Sequence, residues 1–121
     1  MPRSRSAAAR AIADSASTFA ALGDQTRLRL VSRLTGEGPL SIARLTDGLP
    51  ITRQAVTKHL RVMEDAGLVR SAPQGRERVW QLDDRRLQLA QRHLDTIARE
   101  WDARLARLER FVTAPAANRR V

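Results

Sequence analysis

The 121-residue chain has no cysteine and no tyrosine, only two tryptophans and two phenylalanines, and one lysine among its 22 basic residues. Without cysteine there is no disulfide, no thiolate metal ligand and no redox thiol, which is compatible with a cytoplasmic address. With 3% aromatic residues the chain offers no stacking platform for single strands, which argues against an RNA or single-strand binder. Two histidines, His59 and His93, and no paired carboxylates beside a glycine-rich loop leave no nucleophile–base set. No enzyme and no cofactor are therefore expected. No apolar run approaches the ~20 residues of a membrane helix, so no membrane partner is expected. The first residues hold Arg3, Arg5 and Arg10 but no apolar core and no cleavage signal, unlike a secretory peptide.

What is present is a single folded domain's worth of chain, 42% hydrophobic and 29% charged, too apolar to be wholly disordered. The formal net charge is +9, and it is uneven. Residues 14–51 are balanced, whereas residues 52–82 carry six bases against three acids. Such an excess favours a polyanionic partner, although arginine-rich solvated helices produce the same composition.

Residues 1–10 read as a flexible basic arm, residues 11–112 as the folded domain, and residues 113–121 as a flexible tail. Ile12, Ala16, Phe19 and Leu22 follow a helical period that Gly23 stops. Asp24 is positioned to cap a second helix, with Leu28, Val31 and Leu34 on its inner face. The stretch 36–39 is a turn, and Ser41 caps a short helix bearing Ile42 and Leu45. Thr52 opens a longer, basic helix whose buried stripe is Val56, Leu60 and Met63, closed by Gly67. A hairpin follows: an extended run from Leu68, a turn at 73–75, and a return from Arg76 to Leu82. Asp83 then caps a long last helix. There Leu87, Leu94, Trp101 and Leu108 lie seven apart, Ala90, Ile97 and Phe111 sit three beyond three of them, and Leu105 takes over where Arg104 interrupts. This heptad-like seam is that of a helix packing on another helix.

The order predicts a mainly α winged helix-turn-helix with a small β-hairpin wing and a long C-terminal dimerisation helix. The second helix of such a pair must fit a major groove about 12 Å wide, with its first turn toward the base edges. Thr52, Arg53, Gln54, Thr57, Lys58, His59 and Arg61 supply the polar side of that helix. Arg53 can fork onto guanine and Gln54 can pair with adenine. Lys58 and Arg61 suit phosphates, which position without reading sequence. Packing, a backbone hydrogen bond or a phosphate contact is favoured for His59 over a base contact. Gln74, Gly75, Arg76 and Arg78 suit a wing on the DNA backbone or in the minor groove. Trp80 and Trp101 fit a core or an interface better than a ligand cage.

Four stretches bring a family into view. Residues 20–30 read Ala-Ala-Leu-Gly-Asp-Gln-Thr-Arg-Leu-Arg-Leu, and residues 51–60 read Ile-Thr-Arg-Gln-Ala-Val-Thr-Lys-His-Leu. Residues 64–69 read Glu-Asp-Ala-Gly-Leu-Val, and residues 75–82 read Gly-Arg-Glu-Arg-Val-Trp-Gln-Leu. In this order and spacing, from Phe19 to about Phe111, the chain resembles the ArsR-type bacterial regulators. The resemblance implies a homodimeric repressor on an inverted-repeat operator of double-stranded DNA. It also implies a dimer interface built from the first and last helices. The residues expected there are Ile12 and Phe19 on the first, and Leu87, Leu94, Ile97, Trp101, Leu105 and Leu108 on the last. Founding members sense metals through cysteines, or through Asp and His on the last helix. Here there is no cysteine, and His93 has Gln91 two residues before it and Thr96 three after it. Two groups do not make a four-coordinate site, so no metal is expected. A small-molecule effector is left open. The rival readings are an architectural, nonspecific DNA binder and a winged-helix protein-interaction module.

Overall fold

The computed structural model describes the backbone of residues 2–120 and the side chains of residues 6–113. The elements run α1 (Pro2–Leu22), α2 (Gln25–Glu37), β1 (Leu40–Ser41), α3 (Ile42–Thr46), α4 (Arg53–Asp65), β2 (Val69–Gln74), β3 (Glu77–Leu82) and α5 (Asp84–Arg120). The chain divides into two units, residues 1–90 and residues 91–121.

Local chemistry starts the inner helices where the sequence reading expects. The Asp24 carboxylate accepts from the backbone N–H of Arg27 at 3.0 Å. Ser41 accepts from Arg44 at 3.3 Å, and Thr52 from Ala55 at 3.1 Å. Each side chain satisfies a donor that the first helical turn leaves unpaired. Arg33 of α2 adds a tertiary cap. Its Nη1 donates to the carbonyls of Arg44, Leu45 and Asp47, at 2.7, 3.2 and 3.3 Å, and so closes the end of the five-residue α3.

The core of the first unit lies between α2, α3, α4 and the sheet. Leu30, Leu45, Val56, Leu60, Met63 and Leu68 have no accessible surface, and Trp80 joins them. Each fully buried aliphatic side chain contributes about 1.5–3 kcal/mol. The sheet order is β1-β3-β2, antiparallel throughout, with Leu40 opposite Trp80 and Ser71 opposite Trp80 on the other side. The first turn of α5 is fastened to this unit. Arg86 pairs with Asp14 of α1 at 2.7 Å, and Ala90 is buried.

The structure corrects these expectations in some places and adds to them in others. In α2 Val31 and Leu34 are buried as expected, but the third buried residue is Leu30, and Leu28 is 52% exposed. α1 turns Ser15, Thr18 and Ala21 inward and leaves Ile12 63% exposed and Phe19 partly exposed. Small side chains let the helix lie close, and the buried Thr18 hydroxyl donates to the carbonyl of Asp14 at 3.1 Å. The hairpin turn is shorter than expected. Pro73 and Gln74 belong to β2, and Gln74 faces Glu77, so only Gly75 and Arg76 turn. Gly75 takes a φ of 63°, which suits glycine at the first position of a two-residue hairpin loop. The strand β1 has no counterpart in the sequence reading. Helical backbone also covers residues 2–10 and 113–120, where a flexible arm and tail are expected; Ala7, Ala8 and Ala9 are strong helix formers. The side chains of Arg3 and Arg5 and of residues 114–121 lie outside the described residues.

In the second unit the helix continues alone. Leu94, Ile97, Trp101 and Leu108 are each more than half exposed. Among the described residues, no helix is long and apolar enough to cross a membrane.

Candidate nucleic-acid interface

The site is built on α4. At 3.6 residues per turn, Arg53, Gln54, Thr57, Lys58 and Arg61 fall within an arc of about 140°. Val56, Leu60 and Met63 occupy a separate arc and are fully buried. Their burial fixes which side of α4 faces out. Arg53, Gln54, Lys58 and Arg61 are exposed and Thr57 is half-buried. The Thr57 hydroxyl donates to the carbonyl of Arg53 at 2.9 Å, so its methyl group and oxygen lone pairs remain for a ligand. Thr52, the N-cap, is exposed at the start of the helix. The positive end of the helix dipole lies beside it, and the first turn carries no acidic residue. That arrangement attracts phosphate.

His59 is placed differently from the other six. On the same wheel it lies on the flank of the buried arc, a position its spacing from Val56 already encodes. Its ring points at the start of α2. Nδ1 is 3.3 Å from Nη1 of Arg27 and 3.8 Å from the Asp24 carboxylate. His59 thus stands apart from the outward face that the sequence reading grouped it with.

Gln74, Gly75, Arg76 and Arg78 come together, all exposed, at the hairpin tip. Arg78 is oriented by Ser71, its Nη1 donating to Oγ at 2.8 Å, on the same strand face as Trp80. The base of the hairpin carries a polar cluster that sequence reading did not single out. With its amide oxygen toward Arg70, Gln81 accepts from Nε and Nη2 at 2.7 and 2.9 Å. Asp83 accepts from Arg85 Nε and Nη2 at 3.1 and 2.8 Å. The Arg85 hydrogen bonds, side chain first and then backbone, hold the Asp83 carboxyl down at about 2. No local signal marks the Arg70–Gln81 pair, because strand pairing alone makes those positions neighbours.

Of the residues expected at a dimer interface, Ile12, Phe19, Leu94, Ile97, Trp101, Leu105 and Leu108 present exposed apolar surface. Leu87 instead packs against the core of its own unit. Among the described residues, no group of three or more His, Cys, Asp or Glu side chains could hold a metal.

Comparison with known proteins agrees with this geometry. The helix-turn-helix domain family matches residues 22–72. The HTH-type transcriptional regulator Rv2034 of Mycobacterium tuberculosis is 44% identical over 75 residues, 62% of this chain and 69% of that protein. The arsenical resistance operon repressor of Bacillus subtilis is 30% identical over 66 residues, 54% of this chain and 63% of that protein. Among solved structures, an ArsR-like transcriptional regulator from Rhodococcus sp. RHA1 superposes with a TM-score of 0.70. It is 39% identical, covering 83% of this chain and 93% of that one.

Proposed function

The chain belongs to the ArsR-type winged helix-turn-helix transcriptional regulators, and from that premise we propose that it is a homodimeric, cytoplasmic repressor reading an inverted-repeat operator. That it is a DNA-binding regulator and not an enzyme follows from the family. The finer reading rests on one observation: the outward arc of α4 carries Arg53, Gln54, Thr57, Lys58 and Arg61 directly behind an exposed N-cap. In this reading Arg53 and Gln54 contact base edges. Thr52, Lys58 and Arg61 hold phosphates, and Thr57 meets a phosphate or a thymine methyl. Arg76 and Arg78, with Gln74 and Gly75, bring the hairpin tip to the backbone or minor groove.

The dimer is supported by the apolar surface of the last helix, where Leu94, Ile97, Trp101, Leu105 and Leu108 need covering, and by Ile12 and Phe19 on α1. Two recognition helices would then enter successive major grooves roughly 34–36 Å apart. Repression is carried over from the name of the Bacillus relative.

The test is selection of duplexes from a random library at near-physiological salt. The expected result is an inverted repeat with half-sites one turn apart. The variant Arg53→Ala/Gln54→Ala should lose that preference, by about 1–3 kcal/mol for each base contact removed, while keeping weak, salt-sensitive binding. Salt-sensitive binding without any preferred sequence in the wild type would instead support an architectural binder. No binding at all would support an interaction module.

A further inference from the structure

His59 sits on the recognition helix yet faces away from the side proposed to read DNA. The groups it meets all belong to the start of α2. Arg27 is a three-way bridge there. Its backbone N–H donates to Asp24 at 3.0 Å, its Nε donates to the Ala21 carbonyl in the last turn of α1 at 2.6 Å, and its Nη1 lies 3.3 Å from Nδ1 of His59. One guanidinium therefore links α1, α2 and α4.

Among the described residues, the remaining side-chain hold on α4 is apolar. Val56, Leu60 and Met63 press it to the core, but apolar contact has no direction and tolerates small rotations about the helix axis. A hydrogen bond does not. An error of a few tenths of an ångström in the roll of α4 is carried directly to Arg53 and Gln54 on the other side. We propose that His59 is a positioning residue for operator reading, which fixes the roll of α4 through Arg27 and does not itself touch DNA. The inference rests on the DNA-reading role proposed above.

The chemistry of the pair gives the lock a signature. Arginine only donates, so Nδ1 of His59 must accept, and the neutral ring carries its proton on Nε2. A proton added to Nδ1 removes the acceptor and sets two cations side by side. The ring's alternative partner is then the Asp24 carboxylate, 3.8 Å away. That carboxylate is held below its ordinary range, first by the Arg27 backbone hydrogen bond and then by the Arg27 charge. Among the described residues, no charged side chain of α1, α3 or the sheet pairs with His59. On α4 itself, Lys58 and Arg61 lie on the outward arc.

The experiment compares wild type, His59→Asn and His59→Leu for affinity to the selected operator and to random duplex at constant salt. The Asn carbonyl oxygen can accept where Nδ1 did. The expected result is about a ten-fold loss of operator affinity for the Leu variant with random-duplex affinity unchanged, and near wild-type affinity for the Asn variant. Equal affinities for all three proteins, or an Asn variant as weak as Leu, would overturn the lock while leaving DNA reading intact. A changed base preference in the Asn variant would overturn it too, since His59 would then touch DNA. A wild type with no preferred duplex overturns the DNA reading itself. Independently of DNA, nitrogen chemical shifts of the His59 ring in the free wild-type protein should report the Nε2–H tautomer; the Nδ1–H tautomer would overturn the proposal whether or not the variants fold.

Discussion

Among residues 1–90, Leu30, Leu45, Leu60, Met63 and Leu68 lie fully out of solvent, whereas along residues 91–121 Leu94, Ile97, Trp101 and Leu108 each stay more than half exposed. The residue types are alike and the helical spacing is alike. What differs is the number of elements available to pack against. In the first unit five helical segments and a sheet close on one another, and α4 is held on its whole inner side. In the second unit a single helix carries the stripe. Isolated helices gain little stability from propensity alone, so on the dimer reading this stretch is covered by a second copy of the chain. An apolar period announces that a helix face will be covered, but not by what.

The largest expected effect separates the two regions by stability. Leu60→Ala should destabilise the fold by about 2–5 kcal/mol, through lost burial and the cavity left behind, and lower the urea midpoint accordingly. Leu94→Ala should lower the midpoint mainly through self-association, so its effect should fade on dilution. Equal, concentration-independent losses for the two variants would break the comparison.

Trp101→Arg sharpens it from the other side. On the dimer reading, removing a central aromatic anchor weakens association by about 2 kcal/mol or more. Sedimentation at micromolar concentration should then show monomer for the variant and dimer for the wild type, with the fold of residues 1–90 intact by circular dichroism. A wild-type monomer would mean that the exposed stripe is not covered by a second copy of the chain.

The smallest effect concerns the start of α5, inside the first unit. Asp83 is held at about 2, below the ordinary 3.8, by hydrogen bonds from Arg85. A depressed carboxyl contributes stability that is present above the unfolded value and lost as pH falls toward the folded one. Wild type should therefore lose an increment of thermal stability between about pH 4 and 2, and Asp83→Asn should lack that increment. Because the pair is at the surface, the increment should be small and weaken with salt. An identical acid limb in both proteins would show that the contact does not fasten the start of α5.

The caps at Asp24, Ser41 and Thr52, the buried stripe of α4, the hairpin and the long last helix were all legible in the sequence, as were Arg53, Gln54, Thr57, Lys58 and Arg61 on one face. These features depend on residues at most about one helical turn apart, or on the alternation of a strand, so their free energy is local. Other features were decided only by tertiary structure. Leu30 rather than Leu28 is buried, α1 docks through Ser15, Thr18 and Ala21, Leu40 pairs with Trp80, and His59 meets Arg27. Each depends on partners far away along the chain. A helix with two usable faces buries the one that fits its neighbours closely, a two-residue strand exists only because β3 offers an open edge, and a histidine on the rim of a buried arc takes its role from the arginine that the fold brings to it.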